Sequence, residues 1–290
     1  MKLSNYITLL VVLSNLILMQ ETFSQELSEL VEFSKSTMYG EDYYMVSMNR
    51  KNERVKAKYF ASKDINGASV HQRFLKWGEG RQIIAVSSGT YMNGCYGGAD
   101  PVGLTIDNGI PVNERLEDFD GLVVVYATGG VVASNLKEKN LSMYCDGQNK
   151  VFDVTNSWDR QDFINCSKAV DATVFQTHLL VWKNELKIYP NSASAPRERR
   201  FLAVCKDEEG DILHVIVHYP NNVSLLTGAK NVNTFLSEFK DMEEVVFLVN
   251  LDTGCQDIFF VWDDQGNLRE TITGKSSISA AANLLVYYYE

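Results

Sequence analysis

The chain has no excess of positive charge. Its 27 Lys and Arg stand against 37 Asp and Glu in 290 residues, a formal net charge of −10. That balance argues against nucleic acid or anionic membrane surfaces as partners, because both recruit proteins through basic patches. No run beyond residue 19 is long and apolar enough to cross a bilayer, which takes about 20 residues. No cysteine precedes Cys95, so a lipid-modified cysteine near the N-terminus is excluded. Cys-x-x-Cys spacing is absent too. His214 and His218 lie four apart, but within ILHVIVHY. That alternation points both to one face of a strand, as packing or surface groups rather than zinc ligands. There is no internal repeat, no linker-like composition and no second Asp-Thr/Ser-Gly.

What is present describes an ordinary globular protein, with 45% hydrophobic and 11% aromatic residues. Lys2, the apolar stretch Ile7 to Met19, polar Gln20-Glu21 and small residues at Thr22 and Ser24 together read as a secretory signal. The expected cut follows Ser24, giving an exported, secreted or periplasmic product without a stable membrane span. The expected division is a signal peptide at 1–24, an N-terminal helix and strand extension at 25–80, and the main domain at 81–290. Cys95, Cys145, Cys166, Cys205 and Cys255 are then bound for an oxidising space, and an odd count leaves at least one free thiol. Cys145 and Cys166 flank one loop-rich region and are the expected pair.

Periodicity predicts an amphipathic helix over Glu26 to Met38, and strands over Val55 to Ala61 and Arg81 to Ser87. Hairpins are predicted at Asn108-Gly109, across Thr128-Gly129-Gly130, across Lys183-Asn184-Glu185, and between Arg200–Lys206 and Ile212–Tyr219. Residues 137–157 read as a polar loop. Helices are predicted over Asp159 to Gln176 and Ala229 to Met242. A final hairpin breaks at Asp263 to Asn267, and Ile278 to Tyr288 reads as a closing strand. Hairpins outnumber helices, which implies an α+β class: a single domain of mixed or antiparallel sheets with a few packed helices.

Chemistry concentrates in VVFLVNLDTGCQDIFFV, Val245 to Val261. Asp252 sits at the exit of an apolar strand just before a glycine, where rigid backbone can hold a carboxylate facing a cleft. The alternative is a plain hairpin turn in which Asp and Gly supply only turn chemistry. Three other segments also flank predicted strands and carry polar groups: Ser87 to Asn93, Asp100 to Leu104, and Arg197 to Arg200. Arginines at the mouth of a strand suit a phosphate or carboxylate, which they bind by charge-assisted, bidentate contacts.

The order and spacing of these segments resemble the phosphodiester glycosidase family from about Arg81 to the C-terminus. Ser87-Ser88-Gly89-Thr90-Tyr91 is similar to the family's Asn-Gly-Gly turn and following aromatic. Pro101-Val102-Gly103-Leu104 resembles its Pro-x-Gly, and Gln176 to Val181 its Gln…Pro-x-Leu strand. Arg199 to Val204 resembles its Arg-Thr-Ala-x-Gly strand, and Asn250 to Gln256 its Leu-Asp-Gly-Gly-Gly-Ser turn. The chain departs from the pattern where the family asparagine falls on Ser87 and the proline on His178. Thr253-Gly254-Cys255 replaces the triple glycine, and Gln256 the terminal serine.

The resemblance implies hydrolysis of a sugar-1-phosphodiester through an oxocarbenium-like state, with carbohydrate or sugar phosphodiester as partner; no cofactor is predicted, and the sequence does not reveal whether a metal is required. It assigns Asp252 to stabilising the sugar cation or activating water, and Arg199 to the phosphate. Asn250, Gln176 and Tyr91, with Ser87 and Gly254, become the expected substrate contacts, and Asp100 lies beside a matched motif. A catalytically inactive homologue that binds glycans or envelope saccharides is the alternative. Two others are an aspartic protease, whose signature Asp252-Thr253-Gly254 matches once, and nucleophilic catalysis by Cys255.

Overall fold

The computed structural model describes residues 27–61, 68–95, 99–188, 195–238, 242–274 and 277–290. The expected signal at 1–24 lies outside them. The described chain begins with a helical turn at residues 27–30, then a ribbon, β1 (Val31–Met38) and β2 (Glu41–Asn49), followed by β3 (Val55–Ala61), helix α1 (Val70–Gly78) and β4 (Gln82–Ser87). Hairpins β5 (Thr105–Asp107) with β6 (Ile110–Asn113) and β7 (Gly121–Val125) with β8 (Val131–Asn135) come next. A further hairpin, β9 (Leu141–Cys145) with β10 (Gln148–Phe152), leads into α2 (Ser157–Ala169). Then follow β11 (Thr173–Thr177), β12 (Leu179–Trp182), β13 (Glu185–Leu186), β14 (Arg197–Asp207) and β15 (Ile212–Val223). Helix α3 (Leu225–Glu238), β16 (Met242–Leu251), β17 (Ile258–Trp262), β18 (Leu268–Thr273) and β19 (Asn283–Tyr289) complete the order.

Four hairpin loops place both central residues at positive φ, the geometry that matches strand twist: Tyr39-Gly40, Asn108-Gly109, Asp146-Gly147 and Lys183-Asn184. The strands assemble into a seven-stranded sheet ordered β1-β2-β15-β14-β16-β12-β13 and a five-stranded sheet ordered β18-β17-β4-β19-β3. A second five-stranded sheet, β6-β5-β11-β7-β8, and the β9–β10 hairpin complete them. Every pairing between described strands is antiparallel. The expected α+β class therefore resolves into antiparallel sheets, with more sheet and less helix than a balanced α+β protein.

One core is shared by all three large sheets. Leu202, Ile216, Val249 and Leu251 of the seven-stranded sheet meet Tyr59, Phe259, Leu285 and Tyr287 of the first five-stranded sheet, and Val123 and Phe175 of the second. Each helix then covers an outer sheet face. α3 packs Ala229, Val232 and Leu236 on the seven-stranded sheet, and α1 packs Val70 and Phe74 beside Val86 and Val286. Through Phe163 and Ile164, α2 closes a third core with Leu122, Val124 and Val174. Strands covered on both faces read as unbroken apolar runs, as in β19, NLLVYYY, which is buried throughout.

Several expectations need correction. Val31 to Met38 is strand β1, not helix; its apolar residues also alternate, and pairing with β2 decides between the two periods. Residues 141–152 form the β9–β10 hairpin rather than a loop; Leu141, Met143, Cys145 and Phe152 join the core closed by α2, while Tyr144 and Val151 on the outer face stay exposed. The helix expected over Asp159 to Gln176 stops at Ala169, and β-branched Thr173 and Val174 begin β11 instead. The closing strand starts at Asn283, after a short 3₁₀ turn at Ile278–Ala280. Of the helix expected over Ala229 to Met242, residues 239–241 lie outside the described residues and Met242 begins β16.

Cys145 and Cys166 are disulfide-bonded as expected, tying β9 to α2. A loop of that size constrains the unfolded chain by roughly 3 kcal/mol. Replacing both by alanine is expected to lower unfolding stability by that order in urea titrations, with the far-UV spectrum retained. Unchanged stability would show that the bridge constrains nothing the native packing does not already hold.

Candidate active site at the sheet crossover

Asp252 does not sit in a hairpin. Leu251 ends β16, which pairs with β14 and β12, whereas Ile258 begins β17, which pairs with β4 and β18. Residues 252–257 therefore carry the chain from one sheet to the other. The backbone N–H of Asp252 donates to Gly89 O at 2.9 Å, and its Oδ1 accepts from Gly254 N–H at 2.8 Å. Gly89 has to be glycine, because a Cβ there would stand 2.3 Å from the Tyr59 ring. Its own N–H donates to Asn283 Oδ1, and Asn283 Nδ2 donates to Thr90 O, so the start of β19 holds this loop.

Asp252 is 7% exposed. Burial pushes its carboxyl up to about 6, opposed by the Gly254 hydrogen bond, with Asp257 raising it further and Arg200 lowering it. Burial likewise raises the Tyr91 phenol, with the Asp252 charge adding to the effect. Asn250 Nδ2 donates both to Tyr91 Oη and to Leu251 O, and the carbonyl, which can only accept, fixes which way the amide points. Tyr91 Oη accepts that bond, which leaves its own O–H as a donor. The Tyr91 ring lies 5.2 Å from Phe119 and 5.6 Å from His178, and Phe119 and His178 are 4.6 Å apart. Burial lowers the His178 pKa, partly offset by Asp120.

Arg199 is 5% exposed and donates through Nη2 to Ala195 O at 3.0 Å. Its pKa is lowered by burial, while Tyr91 acts to raise it. Asp252, Arg199, Asn250, Tyr91 and Gly254 thus form one neighbourhood. Two expected contacts fall elsewhere. The Gln176 amide accepts from the N–H of Leu104 and Glu117 and donates to the carbonyls of Glu117 and Phe119. Backbone takes its full capacity, so Gln176 positions the Phe119 segment rather than offering bonds to a ligand. Ser87 is fully buried on β4 between β17 and β19, and its Oγ donates to Ser88 O.

The sequence did not single out what lies beneath the crossover. Arg200 points to the opposite face of β14 from Arg199 and is wholly buried. Its Nη2 pairs with Asp257 Oδ1 at 2.6 Å, and its Nη1 donates to Ile258 O at 2.9 Å. Nη2 also lies 3.2 Å from His218 Nδ1, which therefore acts as acceptor and places the histidine proton on Nε2, 3.1 Å from Glu198 Oε1. Burial, then Arg200, holds His218 down to about 3, so this contact is to a neutral ring. Burial raises the Asp257 carboxyl, Arg200 opposes this, and a hydrogen bond with Glu198 adds to it.

Cys255 is bonded to Cys95, 160 residues away, which fastens the loop after Tyr91 to the crossover. That ends the reading of Cys255 as a nucleophile. Cys205 is the free thiol, buried and pushed up to about 12, hence inert. Among the described residues no group of three or more His, Cys, Asp or Glu is arranged to hold a metal.

No family model and no curated protein sequence matches the chain. Among solved structures, its fold is similar to the catalytic domain of zebrafish N-acetylglucosamine-1-phosphodiester alpha-N-acetylglucosaminidase, auto-inhibited by its pro-peptide. The TM-score is 0.50 at 14% identity, over 90% of this chain and 82% of that one. A hypothetical protein from Synechocystis aligns at TM-score 0.47 and 9% identity, over 90% of this chain and 62% of that one. A putative exported protein from Burkholderia pseudomallei aligns at 0.43 and 9%, over 86% and 74%. The first likeness is one of fold.

The raised Asp252 carboxyl has a cost in stability. An unfolded aspartate ionises near 3.8, the folded one at about 6, so the folded state holds a proton that the unfolded state has lost between those values. Stability from this group therefore falls as pH rises through that window and stays lower above it, by on the order of 3 kcal/mol. Asp252→Asn keeps the acceptor for Gly254 and removes the buried charge. It is expected to be more stable than wild type at pH 7.5 and no more stable at pH 4, read by urea unfolding. An equal difference at both pH values would contradict a desolvated Asp252.

Proposed function

We propose that this is an exported hydrolase of the phosphodiester glycosidase type, acting on a sugar-1-phosphodiester. The supporting observation is convergence. The five segments that carry the family resemblance are far apart in sequence, yet a chain of contacts joins them around the Asp252 crossover. Gly89 binds Asp252 N–H, and Val102 N–H donates to Tyr91 O. Thr177 Oγ1 donates to Asn250 O, and His178 O accepts from Asn250 N–H. Arg200 pairs in register with Leu251. The fold similarity to an N-acetylglucosamine-1-phosphodiester alpha-N-acetylglucosaminidase catalytic domain supports the same reading. Two disulfides suit an oxidising compartment, as export requires.

In this reading the sugar C1–O bond breaks and its electron pair leaves on the phosphate oxygen. The water oxygen bonds to C1, and the proton it sheds passes to the Asp252 carboxylate. Phosphate leaves readily, so a strong general acid matters less than a cation to hold it. Arg199 supplies that cation. Tyr91 O–H and Asn250 contact sugar hydroxyls, and Phe119 with His178 offers a face for the ring. A carboxyl titrating near 6 is matched to accepting a proton near neutral pH. The alternative is a saccharide-binding homologue without turnover, favoured by Thr253 and the bridged Cys255 where the family carries glycines.

Release of free sugar from a panel of sugar-1-phosphodiesters is the test. Turnover is expected to rise with pH through about 6, and to fall at least a hundredfold in Asp252→Asn and in Arg199→Ala while both stay folded. Saccharide binding without release by the folded wild type would replace this reading with the non-catalytic one. Full activity in either variant would remove that residue's role.

A further inference from the structure

The arginine expected to matter was Arg199, yet Arg200 holds the crossover. It reaches both ends of the connection from inside the core. Nη1 donates to Ile258 O at 2.9 Å and lies 3.5 Å from Asp252 O, while Nη2 grips Asp257 Oδ1 at 2.6 Å. Its guanidinium plane stands 4.7 Å over the Phe259 ring. Asp257 N–H donates back to Gly254 O at 3.1 Å, and Gly274 N–H donates to Asp257 O. One planar fork therefore ties the first, last and following residues of the connection to β14.

We propose that Arg200 is the positioning residue of this site: by clamping residues 252, 257 and 258 together, it sets the direction in which the Asp252 carboxyl faces. Only a guanidinium has donors spread to reach three acceptors at once. A lysine keeps the charge and loses the fork. A fold needing only a buried cation would accept lysine here; a site needing the turn held in shape would not. The inference stands on geometry and holds whatever the substrate is.

Gly254 N–H is bonded to Asp252 Oδ1 and so reports on that carboxyl's ionisation. The groups facing the carboxyl are Arg200 from β14, Asp257 from the connection, Tyr91 from the 88–95 loop and Tyr59 from β3. In the wild type, the Gly254 amide proton is expected to titrate with a midpoint near 6 by NMR. Two variants are compared with it: Arg200→Lys, and Arg200→Met with Asp257→Leu, which removes the buried pair together and leaves no orphaned charge. Both are expected to fold with core amide shifts at Leu202 and Val249 unchanged, and to lose the Gly254 titration. If the wild type is active, kcat should fall by about a hundredfold with KM little changed, the loss typical of a misplaced reacting group. A native Gly254 titration in the double variant would overturn the proposal. So would failure of both variants to fold, which would make Arg200 part of the core and not of the site. Wild-type inactivity on phosphodiesters counts against the hydrolase reading alone, because the amide titration does not depend on turnover.

Discussion

The guanidinium of Arg200 lies entirely out of water, where an unpaired charge would be several kcal/mol too costly for a domain of ordinary stability. Its partners have to be supplied, and they come from the crossover between the seven-stranded sheet and the five-stranded sheet of β17: the Asp257 carboxylate and the Ile258 carbonyl. Satisfying this one cation fixes where β16 ends, where β17 begins, and how the residues between them run. Strand pairing alone would fix neither end of the connection, since β16 and β17 belong to different sheets.

From that constraint the site follows in layers. The clamp beneath holds the connection, and the Cys95–Cys255 bridge fastens the loop above it. The Gln176 amide, filled by four backbone groups, holds the segment that carries Phe119. Asp252 is left between these supports with backbone hydrogen bonds from its own turn, Gly254 N–H to its Oδ1 foremost, and little exposure to water. Its carboxyl rises because the structure withholds solvation without supplying a direct cationic partner. A site that weakens the fold in this way while being rigidly supported is the usual signature of stability given up for chemistry.

Local signals made much of the fold legible in the sequence. Asn108-Gly109 fixed a hairpin, alternation placed β3 and β15, and Cys145 with Cys166 announced a bridge. Where two periods were compatible with one stretch, as in Val31 to Met38, only pairing with β2 decided. Asp146-Gly147 carried the same turn signal as Asn108-Gly109, and its polar surroundings disguised the strands on either side. For the site, the sequence located Asp252 as the end of an apolar run but could not show that the following strand joins another sheet. It pointed to the arginine cluster and preferred Arg199. Which of two neighbouring residues on a strand faces the core depends on register, which is set by contacts with β15 and β16 far away in sequence. The Cys95–Cys255 bridge, spanning 160 residues, was invisible for the same reason.

The role proposed for Asp252 depends on its being desolvated at the crossover, and the ¹³C chemical shift of its own carboxyl carbon, followed with pH in the wild-type protein, measures that directly. For a desolvated carboxyl the expected midpoint is near 6. A midpoint near 4, the ordinary aspartate range, would place the carboxyl in water and contradict that role.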